Sequence, residues 1–166
     1  FNAKSKTRKR GIALVPLKFG ISFTATHLNQ GGALLVVYMD GSVSCNHGGT
    51  EMGQGLNTKM AQVCADGLGL SVDHVRITAT DSQKVPNASA TSASSGADIN
   101  GAAIMNATVQ MRERLKPVAA RMLSCAEGDV TFANNEVHGA GKSVKWADVT
   151  KQAWLDRVGL SVTGFY

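Results

Sequence analysis

The stretch HGGTEMGQGLNTKM, residues 47–60, places four glycines and a glutamine in the turn before a predicted helix. Glycine loses more conformational freedom on folding than other residues, so such a cluster indicates a special backbone path or a close approach to the main chain. An apolar stripe at helical spacing, ending near residues 67–69, predicts the helix that follows. The stripe consists of Leu56, Met60, Val63, Cys64 and Leu68. The stretch therefore predicts a glycine-rich loop that leads into a helix.

Predicted strands flank this loop and helix. Residues 33–46 predict a hairpin, in which Asp40 and Gly41 provide a type I′ turn signal between an apolar run and a return strand. Residues 74–80 alternate between apolar and polar side chains, which predicts a further strand. Residues 11–24 form an extended apolar run, whose internal proline and glycine predict a bend, a bulge or two short strands.

A second loop, VPNASATSASSGADIN at residues 85–100, also leads into a predicted helix. Apolar side chains then recur at gaps of three and four as far as Met122, and Pro117 should kink or interrupt that helix. Residues 129–145 predict short strands joined at Asn134-Asn135 and at Gly139–Gly141, and residues 146–157 predict a short helix. Mixed strands with two or three helices predict an α+β fold.

The charge of the chain is concentrated at its start. Five of the 17 lysines and arginines lie within residues 1–10, which leaves 12 basic against 12 acidic residues in the remainder. The sequence thus predicts a basic N-terminal arm over 1–10, interpreted as a solvated terminus because no nucleic-acid-binding motif accompanies it. No apolar run approaches the roughly 18 residues of a membrane span. We therefore expect neither a nucleic-acid nor a membrane partner.

The cysteines indicate a reducing compartment. Cys45, Cys64 and Cys125 make an odd number without a Cys-x-x-Cys pair, a pattern that does not suit a disulfide framework. The sequence therefore predicts a cytoplasmic protein.

Both loops lie between a strand and a helix start, where unpaired N–H groups and partial positive charge attract an anion. Neither loop matches a Walker A motif or a dinucleotide-binding fingerprint, which argues against nucleotide binding of those types. Two such helix starts suit a long cofactor that carries phosphate. Ser95 and Asp98 resemble a capping box, Glu51 is interpreted as a capping or solvated residue, and Lys59 as an exposed helix residue. The alternative is that the glycines only make tight turns.

Three segments together resemble the molybdenum hydroxylases, the family of xanthine dehydrogenase, xanthine oxidase and aldehyde oxidase. They are KRGIALVPLKFGISFT (9–24), LNQGGALLVVYMDGSVSCNHGGTEMGQGLNTKMAQV (28–63) and VPNASATSASSGADINGAA (85–103). SVTGFY at 161–166 fits the same family. FGISFT and VPN resemble the xanthine dehydrogenase branch more than the aldehyde oxidase branch.

The resemblance implies a molybdopterin-binding fold and a reaction. Residues 11–166 would be part of a molybdopterin-binding domain, a fragment of a longer chain and one portion of a two-domain unit. The whole enzyme would hydroxylate xanthine or hypoxanthine with water as the oxygen source. Electrons would pass from molybdenum through two 2Fe–2S clusters to FAD and NAD, all bound elsewhere.

The resemblance also implies site residues. The cofactor-binding set is Met52, Gly53, Gln54, Thr91, Ser92, Ala93, Ser94 and Gly96. No side chain would ligate the metal, and the backbone near Ala93 would approach molybdenum. Phe23 would stack on a purine ring, and Thr24 would hydrogen-bond to it. Gly96 departs from the family, in which serine occurs at this position.

The resemblance places the catalytic group elsewhere. The general-base glutamate of the family, in a Gly-Glu-Pro-Pro-like motif, is absent from this chain. We therefore expect the chain alone to be inactive, to bind cofactor weakly or not at all, and to self-associate. The alternatives are an aldehyde oxidase-type enzyme and a non-catalytic anion- or nucleotide-binding module.

Overall fold

The chain contains both helices and strands. Its computed structural model describes residues 1–85 and 88–166. Within these residues the helices are α1 (Leu56–Leu68), α2 (Gly96–Leu123) and α3 (Trp146–Leu155). The strands are β1 (Gly32–Val37), β2 (Val43–His47), β3 (Val75–Ile77), β4 (Thr131–Ala133), β5 (Glu136–Gly139), β6 (Lys142–Lys145) and β7 (Ser161–Phe165). This confirms the α+β prediction. Pro86 and Asn87, part of the VPN motif, lie outside the described residues.

The main sheet has the order β3-β2-β1-β7. β1 pairs antiparallel with both β2 and β7, so that Leu35 lies opposite Cys45 on one side and Val162 on the other. β3 adds in parallel to β2. All three of these facing side chains are buried, because they point to the face of the sheet that the helices cover.

The β1–β2 hairpin is confirmed, but its turn differs from the predicted type I′ turn. The amide of Gly41 donates a hydrogen bond to the carbonyl of Tyr38 at 2.9 Å. The amide of Tyr38 donates in turn to the carbonyl of Ser42, and this second bond closes the loop. Gly41 has φ +87°, whereas Asp40 does not lie in the left-handed region. Asp40 instead accepts a hydrogen bond from the amide of Ser42 at 2.9 Å, which stabilises a longer loop.

Helix α2 crosses the main sheet and packs against α1 to form the core. The approach to the sheet is so close that a Cβ at Gly164 of β7 would overlap the α2 backbone at Ala103. The helix is not interrupted at Pro117, contrary to that part of the prediction. Leu115 and Val118 are buried on either side of the proline, and burying side chains of this size contributes about 1.5–3 kcal/mol each, enough to offset the lost hydrogen bond.

A second sheet, β4-β5-β6, is a pair of hairpins packed beside α2 and α3. Its turns lie at the two joints that the sequence predicts, and Asn134, Asn135, Ala140 and Gly141 all have positive φ there. Residues 11–24 form no strand, contrary to one of the predicted options, because no neighbouring strand pairs with them in the part of the chain that is described. No helix in the described ranges is both long enough and apolar enough to cross a bilayer.

Candidate anion-binding site at two helix starts

A cavity of about 370 Å³ lies where the glycine loop meets the loop before α2. Its lining comes from both loops and from the first turns of both helices. The lining residues are Met52, Gln54, Leu56, Lys59, Thr91, Ser92, Ala93, Ser94, Gly96 and Ala97. Seven of the eight residues predicted to bind cofactor are thus brought together around one space. The exception is Gly53, which does not line the cavity.

The start of α1 is already occupied by a carboxylate of the chain itself. Glu51 accepts hydrogen bonds from the amides of Gly53 (2.9 Å), Gly55 (3.0 Å) and Asn57 (2.9 Å). These bonds, with that from Asn57 first, hold the pKa of Glu51 below its ordinary value. The capping interpretation of Glu51 agrees with this geometry, whereas the expectation of an anion site at the α1 start does not.

Positive φ angles shape the glycine loop around Glu51. Gly53 has φ +96° and Gly55, the residue before α1, has φ +75°. A side chain at either position would meet no atom within 4 Å, so backbone conformation rather than space requires glycine there. Gly48 serves a different purpose, because a Cβ there would overlap Ala88 of the second loop. Both explanations for the glycine cluster therefore apply, each to different members.

Gln54 holds the loop closed with its side-chain amide. Its Oε1 accepts from the amide of Met52 at 2.6 Å, and its Nε2 donates to the carbonyl of Thr50 at 2.9 Å. One N–H of the amide group remains for a ligand, because a carboxamide has two donors. Gln54 lines the cavity, and so does the exposed side chain of Met52.

His47 fixes the loop from beneath. Its ring is 1% exposed, its Nδ1 accepts from the amide of Gly49 at 3.1 Å, and its Nε2 lies 3.1 Å from Asn57 Oδ1. Because Nδ1 accepts, the hydrogen belongs on Nε2, which donates to Asn57. Burial lowers the pKa of His47 from its ordinary value of 6.5. The neutral ring thus connects β2, the glycine loop and α1.

The two loops are also joined directly. The amide of Thr50 donates to Thr91 Oγ1 at 2.8 Å, across 41 positions of sequence. On the α2 side, Asn100 Nδ2 donates to the carbonyl of Gly96 at 2.8 Å. Thr91 therefore has a structural contact in addition to its place in the cavity lining.

The start of α2, unlike that of α1, accepts no side-chain cap from residues 1–85 or 88–166. The predicted capping box is wrong, because Ser95 gives the first turn no hydrogen bond and its hydroxyl donates instead to Ser92 O at 3.1 Å. Ala93 and Ser94 both lie in the left-handed region, at φ +53° and +54°, and turn the chain sharply into the helix. The amides of this first turn are therefore available to a ligand in the cavity that Gly96 lines.

Lys59 is the one basic residue that the described part of the chain contributes to the cavity lining, and the sequence did not predict this position for it. It is exposed, as predicted, but it lies three residues after Leu56, on the face of α1 that borders the cavity. Residues three apart on a helix share a face, so the spacing of Leu56 and Lys59 indicates that both border the same space. An ammonium group and the partial positive charge of a helix start therefore border the same cavity.

The residues predicted to bind substrate lie beside the cavity rather than in its lining. Phe23 is half-buried and Thr24 is exposed. Their segment is joined to the second loop by a hydrogen bond from the amide of Ser22 to the carbonyl of Ala93, at 3.0 Å. The two sets of predicted residues are thus adjacent in the fold.

Comparison with known proteins identifies a matching family. The molybdopterin cofactor-binding domain model matches residues 1–166. A nicotinate hydroxylase of Emericella nidulans is 48% identical over 167 residues, and a xanthine dehydrogenase of Calliphora vicina is 43% identical over 166 residues. Each alignment covers 100% of this chain but only 11% of the relative, so the chain spans about a tenth of the length of these proteins.

A solved structure shares the fold. Quinoline 2-oxidoreductase from Pseudomonas putida 86 superposes with a TM-score of 0.76 and 29% identity. The superposition covers 82% of this chain and 19% of the other.

Proposed function

We propose, from the premise that this chain belongs to the molybdopterin cofactor-binding domain family, that its cavity holds the phosphate-bearing end of a molybdenum cofactor. The observation that carries the proposal is that Lys59 lines the same cavity as the start of α2, which no side chain of the described residues caps. Helix starts bind phosphate through their amides, and a lysine adds a point charge.

The residues present fit such a group chemically. Thr91, Ser92 and Ser94 line the cavity with hydroxyl groups, which can donate to phosphate or pterin oxygens. The amides of Gly96 and Ala97 contribute the helix start. On the opposite side, Gln54 offers its remaining N–H, and Met52 offers an apolar surface for a flat ring. Ala93 would bring its backbone close to the metal end of the cofactor, and Gly53 would act by shaping the loop.

For the whole protein we propose a molybdenum hydroxylase that acts on an electron-poor nitrogen heterocycle. When bound, the cofactor supplies the redox centre at which a ring C–H is replaced by C–OH, with oxygen from water. Phe23 would stack on the ring, and Thr24 would hydrogen-bond to a polar atom of it. Iron–sulfur clusters, FAD and NAD would receive the electrons in other parts of the enzyme, and a general base outside this chain would complete the reaction.

Two substrate classes are candidates. Purines, as xanthine or hypoxanthine, are supported by the xanthine dehydrogenase relatives. A pyridine carboxylate is supported by the 48% identity to a nicotinate hydroxylase. Both are flat heterocycles on which Phe23 could stack, but the pyridine carboxylate carries a carboxylate charge that xanthine and hypoxanthine lack.

The experiment that tests the proposal uses the full-length protein and has two readouts. The first is the molybdenum content together with the fluorescence of the oxidised pterin after heat release, measured for the unaltered protein and for Lys59→Met. The second is the turnover of xanthine, hypoxanthine, nicotinate and an aromatic aldehyde by the unaltered protein, Phe23→Ala and Thr24→Ala.

The outcomes separate the hypotheses. The proposal is supported if the protein contains the cofactor and if Phe23→Ala and Thr24→Ala both reduce turnover of the heterocycle. The heterocycle that is turned over fastest then identifies the substrate class. Turnover of aldehyde alone supports an aldehyde oxidase-type enzyme. A protein that binds no molybdenum and no pterin is a non-catalytic module, and the proposal is then wrong.

A further inference from the structure

We propose that Asn29 is a positioning residue, which holds the substrate-binding segment in register with the cofactor loop. The inference rests on the proposed function of the cavity and of Phe23. The sequence predicts no role for Asn29, which lies before β1 at the start of the segment 28–63. Its role emerges from hydrogen bonds that span six residues.

The side chain of Asn29 binds both backbone groups of Phe23. Asn29 Oδ1 accepts from the amide of Phe23 at 2.9 Å, and Asn29 Nδ2 donates to the carbonyl of Phe23 at 2.9 Å. A single carboxamide thus makes the same pair of bonds that a neighbouring strand makes to one residue of an antiparallel ladder. Such a pair fixes the backbone direction at Phe23, and with it the side chain that Phe23 presents.

Asn29 is itself anchored to the folded core. The backbone amide of Asn29 donates to the carbonyl oxygen of Thr26 at 3.0 Å, which closes a short helical turn. Two residues later, Gly31 exchanges backbone hydrogen bonds with Tyr166 at 3.0 Å each, beside the β1–β7 pair. A Cβ at Gly31 would meet Ile99 Cγ2 of α2 at 2.6 Å, so this part of the chain lies tightly against α2. Through Asn29, Phe23 is therefore connected to the main sheet and to α2, the helix whose start lines the cavity.

The segment has few other attachments. Among the described residues, the two Asn29 bonds and the Ser22–Ala93 bond are the hydrogen bonds that join residues 11–24 to the rest of the chain. Ser22 has φ +82°, a conformation that a serine adopts only when its surroundings fix it. Asn29 on one side and Ala93 on the other supply that constraint. Loss of Asn29 would thus free Phe23 and weaken the link to the cofactor loop.

The test uses the full-length protein, with Asn29→Ala as the main variant and Gln30→Ala as its matched control. Gln30 is the adjacent carboxamide, and its Nε2 donates to His27 O at 2.5 Å without contacting Phe23. Hydrogen exchange is measured on peptides covering residues 19–25 and the α2 helix. We expect exchange of the 19–25 peptide to rise roughly tenfold in Asn29→Ala, since two hydrogen bonds are lost, with α2 unchanged. Gln30→Ala should leave both peptides unchanged.

Kinetics distinguish positioning from general stability. Because Asn29 acts through Phe23, Asn29→Ala should raise KM for the heterocycle about tenfold while kcat and molybdenum content stay within about threefold. The double variant Asn29→Ala, Phe23→Ala should be no worse in KM than Phe23→Ala alone. If Asn29→Ala does not fold, Asn29→Asp takes its place. It keeps the acceptor for the Phe23 amide and loses the donor, so an intermediate rise in exchange is expected.

The failures are distinguishable. If Phe23→Ala leaves KM unchanged, the pocket assignment of the proposed function is wrong, and the substrate role of Asn29 is overturned with it. If Phe23→Ala raises KM but Asn29→Ala changes neither exchange nor KM, only the Asn29 inference is overturned. Additive effects of the two substitutions on KM would also overturn it.

Discussion

Replacing Gly53 with alanine should lower the free energy of unfolding by about 1–2 kcal/mol, entirely through the backbone. Gly53 has φ +96°, and an added Cβ would meet no atom within 4 Å, so steric overlap with neighbours does not contribute. With a urea m-value of about 2 kcal/mol per molar, the midpoint of unfolding should fall by roughly 0.5–1 M. The amide of Gly53 is one of the three that Glu51 binds, so a shifted backbone there should also loosen the loop.

Gly128→Ala is the matched control for this prediction. A Cβ at Gly128 likewise has open space, but Gly128 does not lie in the left-handed region. Because alanine there only reduces the freedom of the unfolded chain, we expect the midpoint to stay the same or rise slightly. Urea unfolding of both variants, followed by circular dichroism, measures the difference. Equal midpoints for Gly53→Ala and Gly128→Ala would refute the argument that backbone conformation requires glycine in this loop.

Three further predictions concern charge, cofactor and surface. Burial lowers the pKa of His47 below its ordinary value of 6.5, so the unfolded chain binds more protons just below that pH. The free energy of unfolding should therefore fall from pH 6.5 towards the folded pKa, by at most about 1.4 kcal/mol per unit, and His47→Gln should lack this dependence in urea titrations. Lys59→Met should weaken retention of cofactor by roughly tenfold in molybdenum analysis, whereas Lys151→Met on the exposed face of α3 should not. The isolated chain should self-associate in light scattering because the apolar side chains of residues 11–21 are exposed, and a monomer at all concentrations would contradict this.

The sequence predicts the helices and the hairpins well because their signals are local. The stripe from Leu56 to Leu68 repeats with the period of a helix, and Gly69 at φ +74° ends α1 where the pattern ends. Asn134-Asn135 gives the correct position of a hairpin turn for the same reason. Pro117 shows the limit of local signals, since burial of its neighbours outweighs the helix-breaking preference.

The candidate site is predicted less completely, because its decisive contacts are not local. The positions of the two loops follow from their glycines and small residues, and seven of the predicted cofactor residues share one cavity. Whether Glu51 or a ligand occupies the α1 start depends on how the loop folds back, which spacing alone does not specify. The contact of Thr50 with Thr91 joins positions 41 residues apart. The roles assigned to Phe23 and Thr24, and the domain boundary after residue 10, stay predictions.

The difference between the starts of α1 and α2 predicts how the proposed cofactor is oriented in the cavity. At α1, Glu51 already places a carboxylate against the first-turn amides, so a phosphate there would meet a like charge as well as donors that are already in use. At α2, no side chain in the described part of the chain caps the first turn, and Lys59 lines the same cavity. The anionic end of a cofactor is therefore expected at α2. The uncharged Met52 and Gln54 side of the glycine loop is then left to contact the ring system, and the hydroxyl groups that line the cavity all come from the loop before α2.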